Sequence, residues 1–348
     1  MKTSSGSRLA YKYRSGDLGT LSRDLKSLAA AEFYAADRHA LNDPFEGRFE
    51  RAAFDGQFAA LETLVSGIAP RTSESLNDVR RAAEAVLAFV DKSGVFSLSK
   101  NPLQELIWAH YGGSHRGFCV GYDMQKLVDF DASIHNVLDV QYSNVAPGIS
   151  STELLIGDSP GGVLQKMLGV KSKPWAYEEE VRVITQPPGR HNHDYRAVKV
   201  IYFGLRCPES TKMAVMETMA GRDITYQQVI SPQSSYVLKA LIIPDRCVSA
   251  TRYMANCAFI EDGAILPEYL KPELKQYAEY LNKAAEVVRR DPYCQAIQFV
   301  NFSGDKGSPN KPVILVQYRR APSKWVNRYM TLAEIDKQYS ALGLPNNS

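Results

Sequence analysis

The run Trp175-Ala-Tyr-Glu178-Glu179-Glu180-Val-Arg182 constrains this chain more than any other stretch. Its alternation predicts a strand over 175–185, and residues two apart on a strand share a face. Glu178, Glu180 and Arg182 then line one side, opposite Glu179, Val181 and Val183. Two carboxylates and a guanidinium on one strand face either pair among themselves on an edge or turn toward something they bind. Adjacent acids raise one another's pKa, and an arginine can hold one of them ionised.

Around this run the chain is rich in strands. Strands are predicted over 9–14, 32–36, 94–99, 117–122, 137–142, 198–204, 224–230 and 236–243. Helices are predicted over 21–30, 48–65, 76–90, 102–111, 164–168 and 210–219; in 48–65 and 76–90 apolar residues recur at three- and four-residue steps. Runs of strands with helices interspersed, rather than strict alternation, favour an α+β fold over a doubly wound sheet. A boundary is expected near 244–268, giving a domain over 8–245 and a small appendage over 246–348. In the appendage, Tyr269, Leu270, Leu274, Tyr277, Leu281, Ala284 and Val288 predict one amphipathic helix. Two strands, 296–302 and 313–318, follow, and Thr331 with Glu334 has capping-box spacing for a last helix.

The 348 residues, 45% hydrophobic and 23% charged, match ordinary globular composition. No apolar run approaches the roughly 20 residues a membrane span needs, and the N-terminus lacks the apolar stretch of a secretory signal. Five scattered cysteines without CxxC pairing argue against a disulfide framework or a cysteine zinc site. A cytoplasmic, non-membrane protein is expected. A net charge of +3 does not by itself imply a nucleic-acid partner.

Three further stretches carry candidate chemistry. Tyr11-Lys12-Tyr13-Arg14 places Lys12 and Arg14 on one strand face, and such a basic face suits a pyrophosphate or simply water. Phe96-Ser97-Leu98-Ser99 turns two hydroxyls to one side. Trp108-Ala-His110-Tyr111 and His115 form a cluster whose histidines, five apart across Gly112-Gly113, do not have the spacing of a zinc helix. Asn42, Asp43 and Glu46 surround Pro44, a pattern that suits a capped turn or a loop over a ligand. In the appendage, Tyr318-Arg319-Arg320, Lys324-Trp325 and Arg328-Tyr329 interleave cations and aromatic rings, as expected of a surface for bases and phosphates or for an acidic protein.

The order of these pieces, basic strand, Ser-x-Ser strand, Glu-x-Glu strand, resembles the arginine–serine–glutamate class of ADP-ribosyltransferases. Those enzymes split the nicotinamide–ribose bond of NAD through an oxocarbenium-like state. The resemblance implies a split, twisted mixed sheet with peripheral helices around an NAD cleft. It implies Glu180 as catalytic carboxylate and Glu178 as the residue that positions or activates an acceptor. Arg14 would hold phosphate, and Ser97 and Ser99 would support the ribose. Tyr13, Trp108 or Tyr111 would stack on nicotinamide, with His110 orienting it. Over residues 11–238 the chain also resembles a large uncharacterised bacterial family, a domain of unknown function. Its signatures here are Tyr11-Lys-Tyr-Arg14, Asn42-Asp-Pro-Phe-Glu46, Trp108-Ala-His-Tyr111 with His115-Arg-Gly117, and Trp175-Ala-Tyr-Glu-Glu-Glu-Val-Arg182.

The leading expectation is an ADP-ribosyltransferase-like enzyme that takes NAD as substrate and modifies a protein or nucleic acid, as a toxin or a phage-defence effector. In that scheme the appendage selects the target. One rival is a metal-dependent nuclease or hydrolase using Asp43, Glu46, Glu178 and Glu180 with His110. The other is a non-catalytic sensor of a nucleotide or partner.

Overall fold

The structure is a computed structural model that describes residues 8–43, 88–131, 134–149, 160–251, 257–291, 294–321 and 323–344, with isolated positions between 45 and 85 and Tyr253. The fold is α+β. The chain divides into two compact units, Met1–Thr251 and Arg252–Ser348. The helices expected over 48–65 and 76–90 lie almost wholly outside the described residues, as does Glu46.

In the first unit, β1 (Leu9–Arg14) leads into helix α1 (Leu18–Ala30) and back along β2 (Glu32–Asp37). Asp17 starts α1 by accepting the Thr20 amide at 3.0 Å, and Ala31 closes it in the left-handed conformation. Next come β3 (Gly94–Ser99), the short helix α2 (Glu105–His110), β4 (Phe118–Asp123), α3 (Met124–Val128) and β5 (Ile134–Asp139). A short parallel pair, β6 (Gln141–Ser143) and β7 (Val170–Ser172), is separated by α4 (Pro160–Leu168). The remaining strands are β8 (Glu180–Thr185), β9 (Gly189–Asn192), β10 (Val198–Phe203), β11 (Thr225–Ile230) and β12 (Lys239–Ile243), with α5 (Glu209–Thr218) between β10 and β11.

Apart from the β6–β7 pair, the described strands form one mixed sheet, in which β12, β11, β10, β4, β1 and β3 are successive neighbours. The junction at β3 places the site. β1 pairs with β3 at a single position, Tyr11↔Ser99, whereas β8 pairs with all six residues of β3, Glu180 opposite Ser99 and Arg182 opposite Ser97. The sheet therefore opens between β1 and β3 while β3 and β8 stay zipped. The main core, with Phe33, Phe96, Phe118 and Ile201, holds α1, α3 and α5 to the sheet. A smaller cluster around Trp108, Tyr13 and Tyr202 anchors α2.

The strand expected over 175–185 is shorter than its sequence pattern. Pro174 sits in the first turn of a 3-10 helix, Lys173–Glu178, and Glu179 adopts the left-handed conformation at φ 45° before the strand begins at Glu180. Proline favours a helical first turn because it has no N–H to satisfy. Glu178 is therefore not a strand neighbour of Glu180.

The second unit is a four-stranded sheet, β13 (Phe259–Ile260), β14 (Ala296–Phe302), β15 (Val313–Ala321) and β16 (Lys324–Thr331), in that order. Helices α6 (Glu279–Val288) and α7 (Leu332–Ala341) share its core. The single helix expected from 269 is instead two 3-10 turns, Pro267–Tyr269 and Pro272–Tyr277, before α6, because each proline begins a new turn. The capping box is formed: Thr331 receives the Glu334 amide, and the Glu334 carboxylate accepts from Thr331 N at 2.8 Å. Strand β16 is absent from the sequence prediction, because its alternation of cations with aromatic and apolar residues reads as surface rather than as strand.

Candidate functional site

The opening between β1 and β3 is a cavity of about 470 Å³. Six cationic and four acidic side chains are among its described lining residues. Lys12 and Arg14 reach it from β1, Ser97 from β3 and Glu180 with Arg182 from β8, and Lys171 and Glu178 close one end.

Glu180 anchors the floor. Arg182 Nε donates to its Oε1 at 2.9 Å and Arg182 Nη2 to its Oε2 at 3.0 Å, while Lys171 Nζ reaches the same Oε2 at 3.2 Å. The Glu180 amide donates to the Tyr142 hydroxyl at 2.8 Å. Burial alone raises the pKa of this carboxyl. The Arg182 guanidinium outweighs that, with help from Lys171 and the Ser97 hydroxyl, and takes it down to about 2. It is a sequestered carboxylate that stays ionised at neutral pH.

Glu178 comes alongside through the left-handed turn rather than along a strand. Lys171 Nζ donates to its Oε2 at 2.5 Å and the Tyr111 hydroxyl to its Oε1 at 2.8 Å. Lys171 thus bridges the two acids. Burial pulls its ammonium pKa down, but the Glu180 and Glu178 charges overcome this and hold it above the ordinary lysine value. Tyr111 also meets the Asn42 side chain, and burial pushes its phenol above the usual tyrosine range.

From β1, Arg14 pairs with buried Asp24 of α1 at 3.5 Å, and Arg23 reaches the same carboxylate at 3.2 Å. Lys12 Nζ donates to the Ser97 carbonyl at 2.9 Å. Burial, then the neighbouring Arg14 charge, lowers its pKa to about 8 against the pull of Glu180, Asp24 and Glu178. An anion entering the cavity would meet a lysine that gains from being charged.

Of the residues singled out from sequence, Lys12, Tyr13, Arg14, Asn42, Asp43, Ser97, Ser99, Tyr111, Glu178 and Glu180 line this cavity. Some of these have further partners, and Trp108 and His110 lie off it. Ser99 borders the cavity, but its hydroxyl donates to the Asn101 carbonyl and accepts the Asn101 amide, so it closes a turn. Tyr13 donates its hydroxyl to the same carbonyl at 2.7 Å and packs edge-on against Trp108, with ring centroids 5.0 Å apart. Trp108 is fully buried, and its Nε1 donates to Pro102 O at 2.9 Å. With no exposed area, neither face of that indole is open to a ligand, and its N–H is satisfied inside. His110 is exposed and lies off the cavity wall, against Tyr111 and Tyr177. Asp43 accepts the Phe45 amide at 2.9 Å, which forms the capped turn, and this turn stands at the cavity edge. Among the described residues no group of three His, Cys, Asp or Glu could hold a metal ion, and no helix is long and apolar enough to cross a membrane.

No motif in the sequence analysis includes Lys171, Tyr142 or Asp24. Nothing marks Lys171 in a three-residue strand. Asp24 had a signal, since it occupies an apolar position in the i, i+3, i+4, i+7 set Leu21, Asp24, Leu25 and Leu28. A charge on the buried stripe of a helix implies a buried cation nearby.

Residues 107–183 match the model of a family described as Protein of unknown function (DUF2971). The resemblance to a domain family of unknown function is borne out over those residues. No curated protein and no solved structure matches the chain. The DUF2971 segment runs from α2 into β8 and contains Tyr111, Tyr142, Lys171, Glu178, Glu180 and Arg182. Lys12, Arg14 and Ser97 lie before it.

Proposed function

We propose that the cavity binds NAD and transfers its ADP-ribosyl group to a macromolecular acceptor, and that the sheet opening at β1 and β3 is of the ADP-ribosyltransferase type. One observation carries this reading. A basic strand, a serine strand and a glutamate strand lie next to one another, and Arg14, Ser97 and Glu180 line a single cavity. In this reading the N-glycosidic bond between nicotinamide and ribose breaks and nicotinamide leaves with the bonding pair. The acceptor's nucleophilic atom then bonds to C1 of the ribose and gives up its proton.

Glu180, ionised across the working pH range, stabilises the oxocarbenium-like ribose, since a fixed charge in a dry site acts strongly on developing charge. Ser97 supports that step by holding the carboxylate rather than by touching the ribose directly. Glu178, held by Tyr111 and Lys171, receives the acceptor proton. Lys12 and Arg14 neutralise the pyrophosphate.

A second reading has its own support. Both Glu180 oxygens are already engaged by Arg182 and Lys171, as befits a charge network that shapes a nucleotide-binding sensor without catalysis. Release of nicotinamide from NAD by the purified protein separates the two. Turnover that Glu180→Gln removes supports the transferase, whereas NAD binding without turnover supports the sensor.

A further inference from the structure

The second unit offers a surface that takes no part in the NAD chemistry proposed for the cavity. Its sheet has one face against α6 and α7, with Ile314, Val316 and Met330 fully buried there. The alternate residues of β15 and β16 point to the other face and stand in register: Arg319 opposite Trp325, Gln317 opposite Asn327, Leu315 opposite Tyr329. Trp325 and Tyr329 are 40% and 36% exposed, and what sets them apart is that they share one face with Phe299 rather than standing singly. Phe299 on β14 extends the same face, opposite Gln317, and is 40% exposed.

Cations accompany these rings. Arg319 lies over Trp325 with its Cζ 5.9 Å from the ring centroid, and Lys306 lies over Tyr329 at 3.8 Å. Gln317 donates to Asn327 at 3.0 Å, which leaves further amide donors and acceptors between the two rings. No aspartate or glutamate occurs in β14, β15 or β16. The second unit holds thirteen basic and ten acidic residues, so the chain's whole net charge of +3 resides there.

We infer that this open sheet face binds single-stranded nucleic acid. Unpaired bases stack on aromatic rings whatever their sequence, and basic side chains between the rings neutralise the phosphates. Trp325 on the edge strand takes a base, the Gln317–Asn327 pair meets base edges, and Arg319 and Lys306 meet the backbone. An acidic protein would use the cations but has no need of flat rings spaced along a strand. Not all of the basic pattern seen in sequence belongs to this surface. Tyr318 is buried, and Arg328 turns to Asp291 and Gln338 on the covered side. The inference stands independently of the NAD reading.

The test is fluorescence anisotropy of the full chain with labelled single-stranded RNA and DNA of about twenty nucleotides, and with a duplex of equal length. The expected result is single-strand binding that weakens with salt, exceeds duplex binding, and falls roughly tenfold in Trp325→Ala. A preference for RNA or for DNA identifies the strand recognised and supports the inference in either case. Arg319→Gln, which keeps both rings, is expected to weaken binding and flatten its salt dependence. It decides the matter should Trp325→Ala fail to fold. Duplex bound as tightly as single strand, unchanged affinity in the folded variants, or no binding at low salt overturns the inference.

Discussion

Arg182 holds Glu180 in a two-pronged grip, Nε to Oε1 at 2.9 Å and Nη2 to Oε2 at 3.0 Å, with both side chains almost wholly out of water. The same guanidinium donates Nη1 to the Leu168 carbonyl at 2.7 Å, tying β8 to the end of α4. Removing one partner of such a pair strands the other charge in the interior. Arg182→Met is therefore expected to cost about 3–5 kcal/mol of stability, measured as the shift in a urea unfolding midpoint at pH 7. Arg182→Lys is expected to lose part of this, because an ammonium cannot make the two-pronged contact.

Acid should release the same grip. The Glu180 carboxyl sits at about 2 in the folded chain against an ordinary 4.5. The unfolded state therefore binds this proton more tightly than the folded one. The stability contributed is complete above about pH 4.5 and lost as pH falls toward 2, a change on the order of 3 kcal/mol. Urea midpoints measured from pH 6 to pH 2.5 should fall steeply in the wild type and less steeply in Glu180→Gln.

Lys12 gives the cavity a separate pH dependence at the alkaline end. Burial and Arg14 bring its ammonium down to about 8, so its charge is present below that pH and lost above it. Affinity for an anionic dinucleotide is expected to fall as pH rises from 7 to 9. Lys12→Met should bind more weakly at pH 7 and show a flatter profile. Calorimetric titration of NAD at the two pH values checks both.

Much of this was legible in the sequence and some was not. Period two on β1 put Lys12 and Arg14 on one face correctly, because a regular strand has no other option. The Thr331–Glu334 cap was equally plain, since it depends on four consecutive residues. Strand alternation predicts Glu178 and Glu180 together, but the physical reason is different: a proline-started turn and a left-handed Glu179 swing the first acid beside the second. Lys171, which bridges them, lies seven residues before Glu178 in a strand too short to show any period. Trp108 and Tyr13 looked available for stacking, but burial depends on what packs against them from β4 and β10, which no local pattern reveals.

The Trp108-Ala-His-Tyr and His-Arg-Gly motif has a mechanical use that explains its glycine. A Cβ on Gly117 would collide with the Arg14 carbonyl, and the Gly117 amide donates to Gly112 O at 2.9 Å. The clash is with backbone, so no side-chain rotation relieves it. Gly117→Ala is expected to push the end of β1 away and move Arg14 from Asp24. The expected cost is at least about 1–3 kcal/mol from overpacking. Thermal unfolding reads the stability, and loss of NAD affinity reads the displacement of Arg14.

The most direct measurement is transfer of label from adenylate-labelled NAD to macromolecules of a cell extract by the purified protein, compared with folded Glu180→Gln and Glu180→Asp. The expected result is labelled protein or nucleic acid with the wild type and at least about a hundredfold less with Glu180→Gln, which still binds NAD. Failure of the wild type to bind NAD, or equal labelling by wild type and Glu180→Gln, would contradict a carboxylate-driven transfer in this cavity.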